Sequence, residues 1–164
     1  MGSIHRGRQH VQAGRLPAGY TAAQPALGVL KPPLVLLVEP HTDTSDMYCD
    51  YFGYHNVPTL TASSAAEAMT IASTATPKAD VIVTNITLPG GTDGIALVTR
   101  LRQHVATRHV PIVVMSARAL SNDEQRARDA GCDHFALKPC LPDELLTRVM
   151  RLARPLVSAA GDKR

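Results

Sequence analysis

Uninterrupted aliphatic stretches alternate along this chain with segments whose apolar residues recur every three or four positions. The aliphatic stretches are rich in branched side chains, as expected of strands that are buried on both faces of a sheet. We predict five strands, covering residues 34–38, 57–61, 81–83, 110–115 and 135–137, of which the second is short and polar. The segments that separate them have the periodicity of amphipathic helices.

A helix is predicted after each strand. The first begins near Thr44, capping boxes that open at Ser64 and Ser121 start the second and the fourth, and the last covers 142–154. Strands that alternate with helices in this way form a parallel sheet with helices on both faces. The chain is therefore predicted to be an α/β protein.

The second strand contains Pro58, which cannot donate to a hydrogen-bond ladder and therefore favours an edge position. This placement predicts a doubly wound five-stranded parallel sheet of order 2-1-3-4-5, the flavodoxin-like (βα)5 arrangement. Functional groups in such sheets collect at the carboxyl ends of the strands. In this chain those ends are the segments 39–41, 85–87, 116–117 and 138–139.

The ordered domain is predicted to cover residues 34–154 of the 164. Residues 1–33 contain five glycines and four prolines without any period, which predicts a disordered, basic leader. Residues 155–164 are predicted to be a short flexible tail. The length of the ordered part suits one domain.

Charge, hydropathy and cysteine content argue against nucleic-acid binding, a membrane span and a zinc site. The net charge is +3, but residues 34–154 carry 11 basic and 13 acidic side chains, so no basic face for nucleic acid is expected. No run approaches the ~18 apolar residues of a membrane helix. The three cysteines have no CxxC or zinc spacing and are predicted to be free thiols in the reducing cytoplasm.

Several motifs in register carry a family resemblance. Leu88-Pro89-Gly90 precedes Thr92-Asp93-Gly94, Lys138-Pro139 closes the fifth strand, and 61–68 leads into the second helix. Residues 34–154 thereby resemble the receiver domain of response regulators in bacterial two-component signalling. The resemblance implies a role in phosphorelay signal transduction.

The resemblance also implies site residues. In receivers an aspartate after strand three accepts phosphate, and an acidic pair after strand one helps it hold Mg²⁺. A hydroxyl after strand four and a lysine after strand five bind the phosphoryl oxygens, and an aromatic residue near that lysine reports activation. Those positions correspond here, in that order, to Asn85, Glu39 with Pro40, Ser116, Lys138 and Phe135.

Two of these positions depart from the family pattern. Asn85 has an amide where the family has a nucleophilic carboxylate, and Pro40 offers no side-chain ligand. A charge pair at ~4 Å is worth roughly 4 kcal/mol at an effective dielectric of 20, so losing two carboxylates removes most of the attraction for a cation. We therefore expect Mg²⁺ to bind weakly or not at all, and we assign no metal site and no cofactor.

The remaining polar groups are expected to satisfy one another. Lys138 should pair with Glu39 or bond the carbonyl of Asn85. The amide of Asn85 can both donate and accept, so we expect a permanently satisfied network with Ser116 and Lys138. Phe135 is interpreted either as packing or as a switch, and His41 as a solvated loop residue.

The predicted function is a degenerate receiver without enzymatic activity, which binds a protein partner independently of phosphorylation. The partner would be a histidine kinase, another regulator or a second copy in a homodimer, docked by analogy on the fourth helix, fifth strand and fifth helix. One alternative is a receiver switched by another residue or by a small ligand. Another is a flavodoxin-like enzyme that binds a nucleotide or flavin, which the glycine-free turn 39–44 disfavours.

Overall fold

The structure, a computed structural model, describes residues 31–118 and 122–153. The predicted leader up to residue 30, the predicted tail and the capping residue Ser121 lie outside these residues.

Five strands alternate with five helices along the described chain. In order they are β1 (Val35–Val38), α1 (Thr42–Tyr54), β2 (Thr59–Ala62), α2 (Ala65–Thr74), β3 (Val81–Asn85), α3 (Gly94–Gln103), β4 (Ile112–Ser116), α4 (Asp123–Asp129), β5 (His134–Leu137) and α5 (Pro142–Ala153). The strands are parallel and their order is β2-β1-β3-β4-β5. The predicted fold class is confirmed, and so is the edge position of the second strand.

The sheet separates two apolar layers because successive side chains of a strand point to opposite faces. Leu36, Ile82 and Val114 belong to the layer covered by α2, α3 and α4. Leu37 and Val83 belong to the layer covered by α1 and α5. The three central strands β1, β3 and β4 are therefore buried on both faces, which explains their aliphatic sequences, whereas β5 at the sheet edge is buried only in part.

Two strands extend further than their aliphatic runs. The third was predicted to end at Val83 and the fourth at Met115, but β3 ends at Asn85 and β4 at Ser116. Their last residues are polar because they lie at the carboxyl edge of the sheet. Both candidate site residues are thereby held by strand backbone rather than by a loop.

The observed helix caps agree only in part with the two capping boxes predicted from the sequence. Ser64 caps α2 by accepting from the Glu67 amide at 3.3 Å, while the Glu67 carboxylate bonds Ser63 rather than Ser64. Helix α4 has Asn122 at its N-cap position, without a side-chain capping bond. The helix begins at Asp123, and the capping box at Ser121 stays a prediction because Ser121 lies outside the described residues.

The Thr92-Asp93-Gly94 motif joins α3 to the end of β3. Asp93 caps the helix by accepting from the Ala96 amide at 2.7 Å. A Cβ atom on Gly94 would lie 1.9 Å from the backbone oxygen of Asn85, so only glycine fits this contact. The Gly94 amide also donates to the Ile86 carbonyl at 2.6 Å. The motif therefore fixes the backbone beside the candidate site.

Across residues 31–118 and 122–153, no helix is both long enough and apolar enough to cross a membrane.

Candidate functional site

The carboxylate of Glu39 is the centre of the polar cluster at the carboxyl edge of the sheet. Its Oε2 accepts from Nδ2 of Asn85 at 2.8 Å and from Nζ of Lys138 at 2.7 Å. Its Oε1 accepts from the backbone amide of His41 at 3.0 Å and lies 3.0 Å from the ring Nδ1 of the same residue. One carboxylate is therefore surrounded by four donor groups.

Burial and hydrogen bonding shift the pKa of Glu39 in opposite directions. Its side chain has no exposed surface, whereas that of Lys138 is 21% exposed. Burial by itself raises the pKa of Glu39, but the bonds from Lys138, His41 and Asn85 together hold that pKa below its usual value. The cluster thus contains one stabilised anion paired with one cation, and its formal charge is zero.

The orientation of the Asn85 amide follows from its neighbour. A carboxylate only accepts hydrogen bonds, so the amide nitrogen faces Glu39 and Oδ1 points the other way. This Oδ1 is buried and has no hydrogen-bond partner within the described residues. The expected fully satisfied network is therefore wrong for half of the Asn85 amide.

Ser116 does not join the network either. Its hydroxyl donates to the Arg118 carbonyl at 2.7 Å and accepts from the Arg118 amide at 3.1 Å. Serine commonly makes such local bonds to backbone two residues away. The expected contact of Ser116 with Asn85 and Lys138 is wrong because these local bonds use the hydroxyl.

Lys138 and Phe135 lie on or next to β5. Of the two partners considered for the lysine, Glu39 is the one that it contacts, and its backbone amide donates to the Ser116 carbonyl at 2.8 Å. Phe135 is half-buried and packs against the apolar layer beneath α2, α3 and α4. Its observed contacts are thus those of a packing residue.

His41 is a member of the cluster that sequence reasoning missed. It was interpreted as a solvated loop residue, and its side chain is indeed 77% exposed, yet both its amide and its ring contact Glu39. The available signal was its position two residues after a buried carboxylate, where the chain turns into α1. Pro40 between them supplies no polar side-chain atom.

Tyr48 is a second residue whose polar role was missed. No local sequence pattern assigns it a polar partner, but its hydroxyl donates to the Cys140 carbonyl at 2.8 Å. Burial, together with the nearby charges of Cys140 and Glu39, raises the pKa of Tyr48 to about 12. The bond anchors the segment that follows Lys138, which holds that lysine beside the cluster.

The donors at this position do not fit Mg²⁺, the metal that the family implies. Magnesium takes oxygen ligands in octahedral geometry, with carboxylates and waters. Here the one carboxylate already accepts several hydrogen bonds, Pro40 has no ligand, and the ammonium of Lys138 already pairs with that carboxylate. The unpartnered Oδ1 of Asn85 is a single neutral oxygen and does not replace two missing carboxylates.

Comparison with known proteins gives a consistent picture. The family model described as the response regulator receiver domain matches residues 35–150. The chain is 28% identical over 132 residues to the phosphate regulon transcriptional regulatory protein PhoB of Escherichia coli, covering 79% of this chain and 55% of PhoB. It is 34% identical over 128 residues to the transcriptional regulatory protein PrrA of Mycobacterium tuberculosis, covering 78% and 53%. The chain therefore spans about half the length of the curated relatives that it matches.

Solved structures agree with the fold. A putative response regulator from Chloroflexus aurantiacus superimposes with a TM-score of 0.68 at 27% identity, covering 75% of this chain and 98% of that one. The receiver domain of the Francisella response regulator 1452 gives a TM-score of 0.67 at 27% identity, with 74% and 96% covered.

Proposed function

The chain belongs to the response-regulator receiver family, and we propose that it is a two-component signalling protein that acts by binding a protein partner without accepting phosphate. The observation that carries the proposal is the Asn85 side chain at the end of β3. Its amide nitrogen donates to Glu39, so the group at the acceptor position is engaged as a hydrogen-bond donor.

The chemistry of that side chain supports the absence of phosphoryl transfer. A covalent intermediate of this kind needs a carboxylate, hydroxyl, thiol, amine or imidazole as nucleophile. The nitrogen lone pair of an amide is delocalised into its carbonyl, and the Asn85 nitrogen also directs a proton at Glu39. No step of phosphoryl transfer can therefore begin at this residue.

The engagement of Lys138 supports the same conclusion. A lysine can bind a phosphoryl oxygen when its ammonium is not already paired with another anion. The ammonium of Lys138 lies 2.7 Å from the buried carboxylate of Glu39. Moving it toward a new anion would strand the buried charge of Glu39, which is costly. The cluster is therefore proposed to stay in one state.

We propose that the signalling output of this domain is a surface contact with a partner. The β5–α5 side exposes Leu137 and Leu141, at 50% and 57% of their full accessible area. A cleft of about 400 Å³ lies on the same side, lined by His134, Asp143, Glu144, Thr147, Arg148 and Arg151. These features support docking of a histidine kinase, another regulator or a second copy on this side.

Binding to histidine kinases of the same organism tests the proposal. Titrations with and without acetyl phosphate and Mg²⁺ should give the same Kd. Leu137→Glu together with Leu141→Glu should weaken binding, whereas Val105→Glu, at a residue 71% exposed outside this side, should not. A Kd that changes with acetyl phosphate contradicts the proposal.

One observation favours a second candidate, a pocket switched by a small ligand. The buried Oδ1 of Asn85 is an acceptor without a partner in the described chain, and a ligand that donates a hydrogen bond would satisfy it. A change in the side-chain amide NMR signal of Asn85 on addition of a metabolite mixture would support this candidate. Visible absorbance of the purified protein would instead indicate the flavin-binding alternative.

A further inference from the structure

One side of α1 presents both apolar and acidic residues outward. Asp43, Met47, Asp50 and Tyr54 follow one another at intervals of three or four positions, so they form one stripe along the helix. Met47 is 44% exposed and Tyr54 is 83% exposed, and both rank among the large apolar side chains that the described chain leaves open to solvent. We refer to these four residues, with the adjacent Asp46, as the α1 outer face.

The charge of this face is not balanced locally. Helix α1 carries no lysine or arginine, and Asp43, Asp46 and Asp50 form no ion pair within residues 31–118 and 122–153. The N-terminal end of a helix favours Asp43, but Asp50 lies toward the C-terminal end, where the helix dipole disfavours an acid. The face therefore suits a segment that combines basic and apolar side chains.

The chain itself carries such a segment. Residues 1–30 contain Arg6, Arg8 and Arg15 and no acidic residue. Val11 lies between Arg8 and Arg15, and Leu16 directly follows Arg15, so basic and apolar groups are interspersed over a short length. Its composition is thus complementary to the α1 outer face in both charge and hydrophobicity.

Residues 1–30 also join the folded domain at a point close to the α1 outer face. The Val35 amide donates to the Pro58 carbonyl at 3.0 Å, so the chain enters β1 beside the loop that follows Tyr54. The 13 residues of α1 span about 20 Å. A flexible stretch of about 20 residues has an end-to-end distance of roughly 25 Å. The arginines can therefore reach every residue of the face.

We propose that residues 1–30 dock within the same chain on the α1 outer face, with the arginines beside the aspartates and the apolar residues against Met47 and Tyr54. The inference does not depend on the proposed function, since it concerns neither phosphate nor the Glu39 cluster. Its consequence is that a partner that binds this face must first displace the leader.

Photocross-linking in the full chain tests the proposal. A benzophenone amino acid replaces Met47 or, in a second protein, Tyr54, and the products are mapped by mass spectrometry. We expect cross-links to residues 1–30 of the same chain. The same probe at Val105, an exposed apolar residue outside α1, is the matched control and should give none of these products.

Two further variants test the role of charge. Arg6→Glu with Arg8→Glu and Arg15→Glu should lower the cross-link yield several-fold, and Asp46→Lys with Asp50→Lys should restore it in the reversed-charge protein. Raising the salt from 0.1 to 1 M shortens the screening length from about 10 to 3 Å and should also lower the yield. Circular dichroism checks that each variant is folded.

Three outcomes would overturn the proposal. They are cross-links from Met47 and Tyr54 to a second copy, no product with residues 1–30, or a yield that is unchanged by charge reversal. None of them bears on whether the protein accepts phosphate, so failure here is distinguishable from failure of the proposed function.

Discussion

The amide nitrogen of Asn85 donates to Oε2 of Glu39 across a distance of 2.8 Å, and this bond joins the ends of β3 and β1. The same oxygen accepts from Lys138 at 2.7 Å, which adds the segment after β5. A buried anion thus bonds one amide and one cation from different strands. The cluster holds the carboxyl edge of the sheet together, and its chemistry can be tested residue by residue.

The pair of Glu39 and Lys138 should be energetically coupled. Lys138→Met leaves a buried carboxylate without its cation, which costs about 3–5 kcal/mol when burial is complete and less where water reaches the pair. Since Lys138 is partly exposed, we expect about 2 kcal/mol, and Glu39→Gln in the same chain should recover part of the loss. Urea denaturation of the four proteins measures the coupling energy. A coupling energy within error of zero would show that the two groups do not stabilise each other.

The lowered pKa of Glu39 predicts a pH dependence of stability. Because the folded pKa lies below the unfolded one, the stabilisation is complete above the unfolded value of about 4.3 and is lost as pH falls through the folded pKa. Unfolding free energies of the native chain and Glu39→Gln should therefore differ at neutral pH and converge in acid. A difference that is the same at every pH would contradict the assignment.

Several features of the fold could be predicted because they follow from local rules. Pro58 led to the correct edge position for the second strand, although β2 begins one residue after it, at Thr59. The aliphatic runs located the central strands β1, β3 and β4. The contact between Lys138 and Glu39 was one of two alternatives, both of which followed from the site positions that the family resemblance implies. The predicted bounds of β3 and β4 ended one or two residues early because polar residues at a sheet edge interrupt the apolar run that marks a strand.

The orientation of individual polar groups could not be predicted from the sequence. The Ser116 hydroxyl bonds the backbone of Arg118 because that backbone is only two residues away and the bond orders no other side chain. The ring of His41 contacts Glu39 because the chain bends at Pro40. The hydroxyl of Tyr48 reaches a carbonyl 92 residues away, a distance in sequence that no local pattern encodes.

The hydroxyl of Tyr48 should stabilise the fold through that carbonyl. Tyr48→Phe removes a buried hydrogen bond and leaves the Cys140 carbonyl without its donor, so we expect a loss of about 1 kcal/mol. Tyr54→Phe is the matched control on the same helix, and its exposed hydroxyl should change stability by less than about 0.5 kcal/mol. Equal effects of the two substitutions in thermal or urea unfolding would contradict the role of the bond.

Two glycines should respond to alanine in opposite ways. Gly94→Ala drives a Cβ atom into the Asn85 backbone oxygen, so we expect a loss of more than about 2 kcal/mol. In helix α1, a Cβ atom on Gly53 would have no other atom within 4 Å. Gly53→Ala should therefore stabilise the chain by about 0.5–1 kcal/mol. Urea denaturation compares them. A tolerated Gly94→Ala would mean that the start of α3 is not held against β3.

The inability to accept phosphate should be reversible by restoring carboxylates. Asn85→Asp alone supplies a nucleophile, but it leaves only two carboxylates at the cluster, and these repel each other across the present hydrogen-bond distance. Asn85→Asp with Pro40→Asp supplies three, the set that the family uses with Mg²⁺. We expect slow phosphorylation of the single variant and fast phosphorylation of the double variant, measured with acetyl phosphate. Equal rates would show that Pro40 does not limit metal binding.

The native chain incubated with acetyl phosphate and Mg²⁺ gives the most direct measurement of the central claim. Phosphate-affinity electrophoresis with intact-mass analysis should find no phosphorylated protein, while the double variant, treated in parallel, should be phosphorylated. A stoichiometric phosphate on the native chain that neutral hydroxylamine releases would be an acyl phosphate, and it would contradict the claim that this receiver works without phosphorylation.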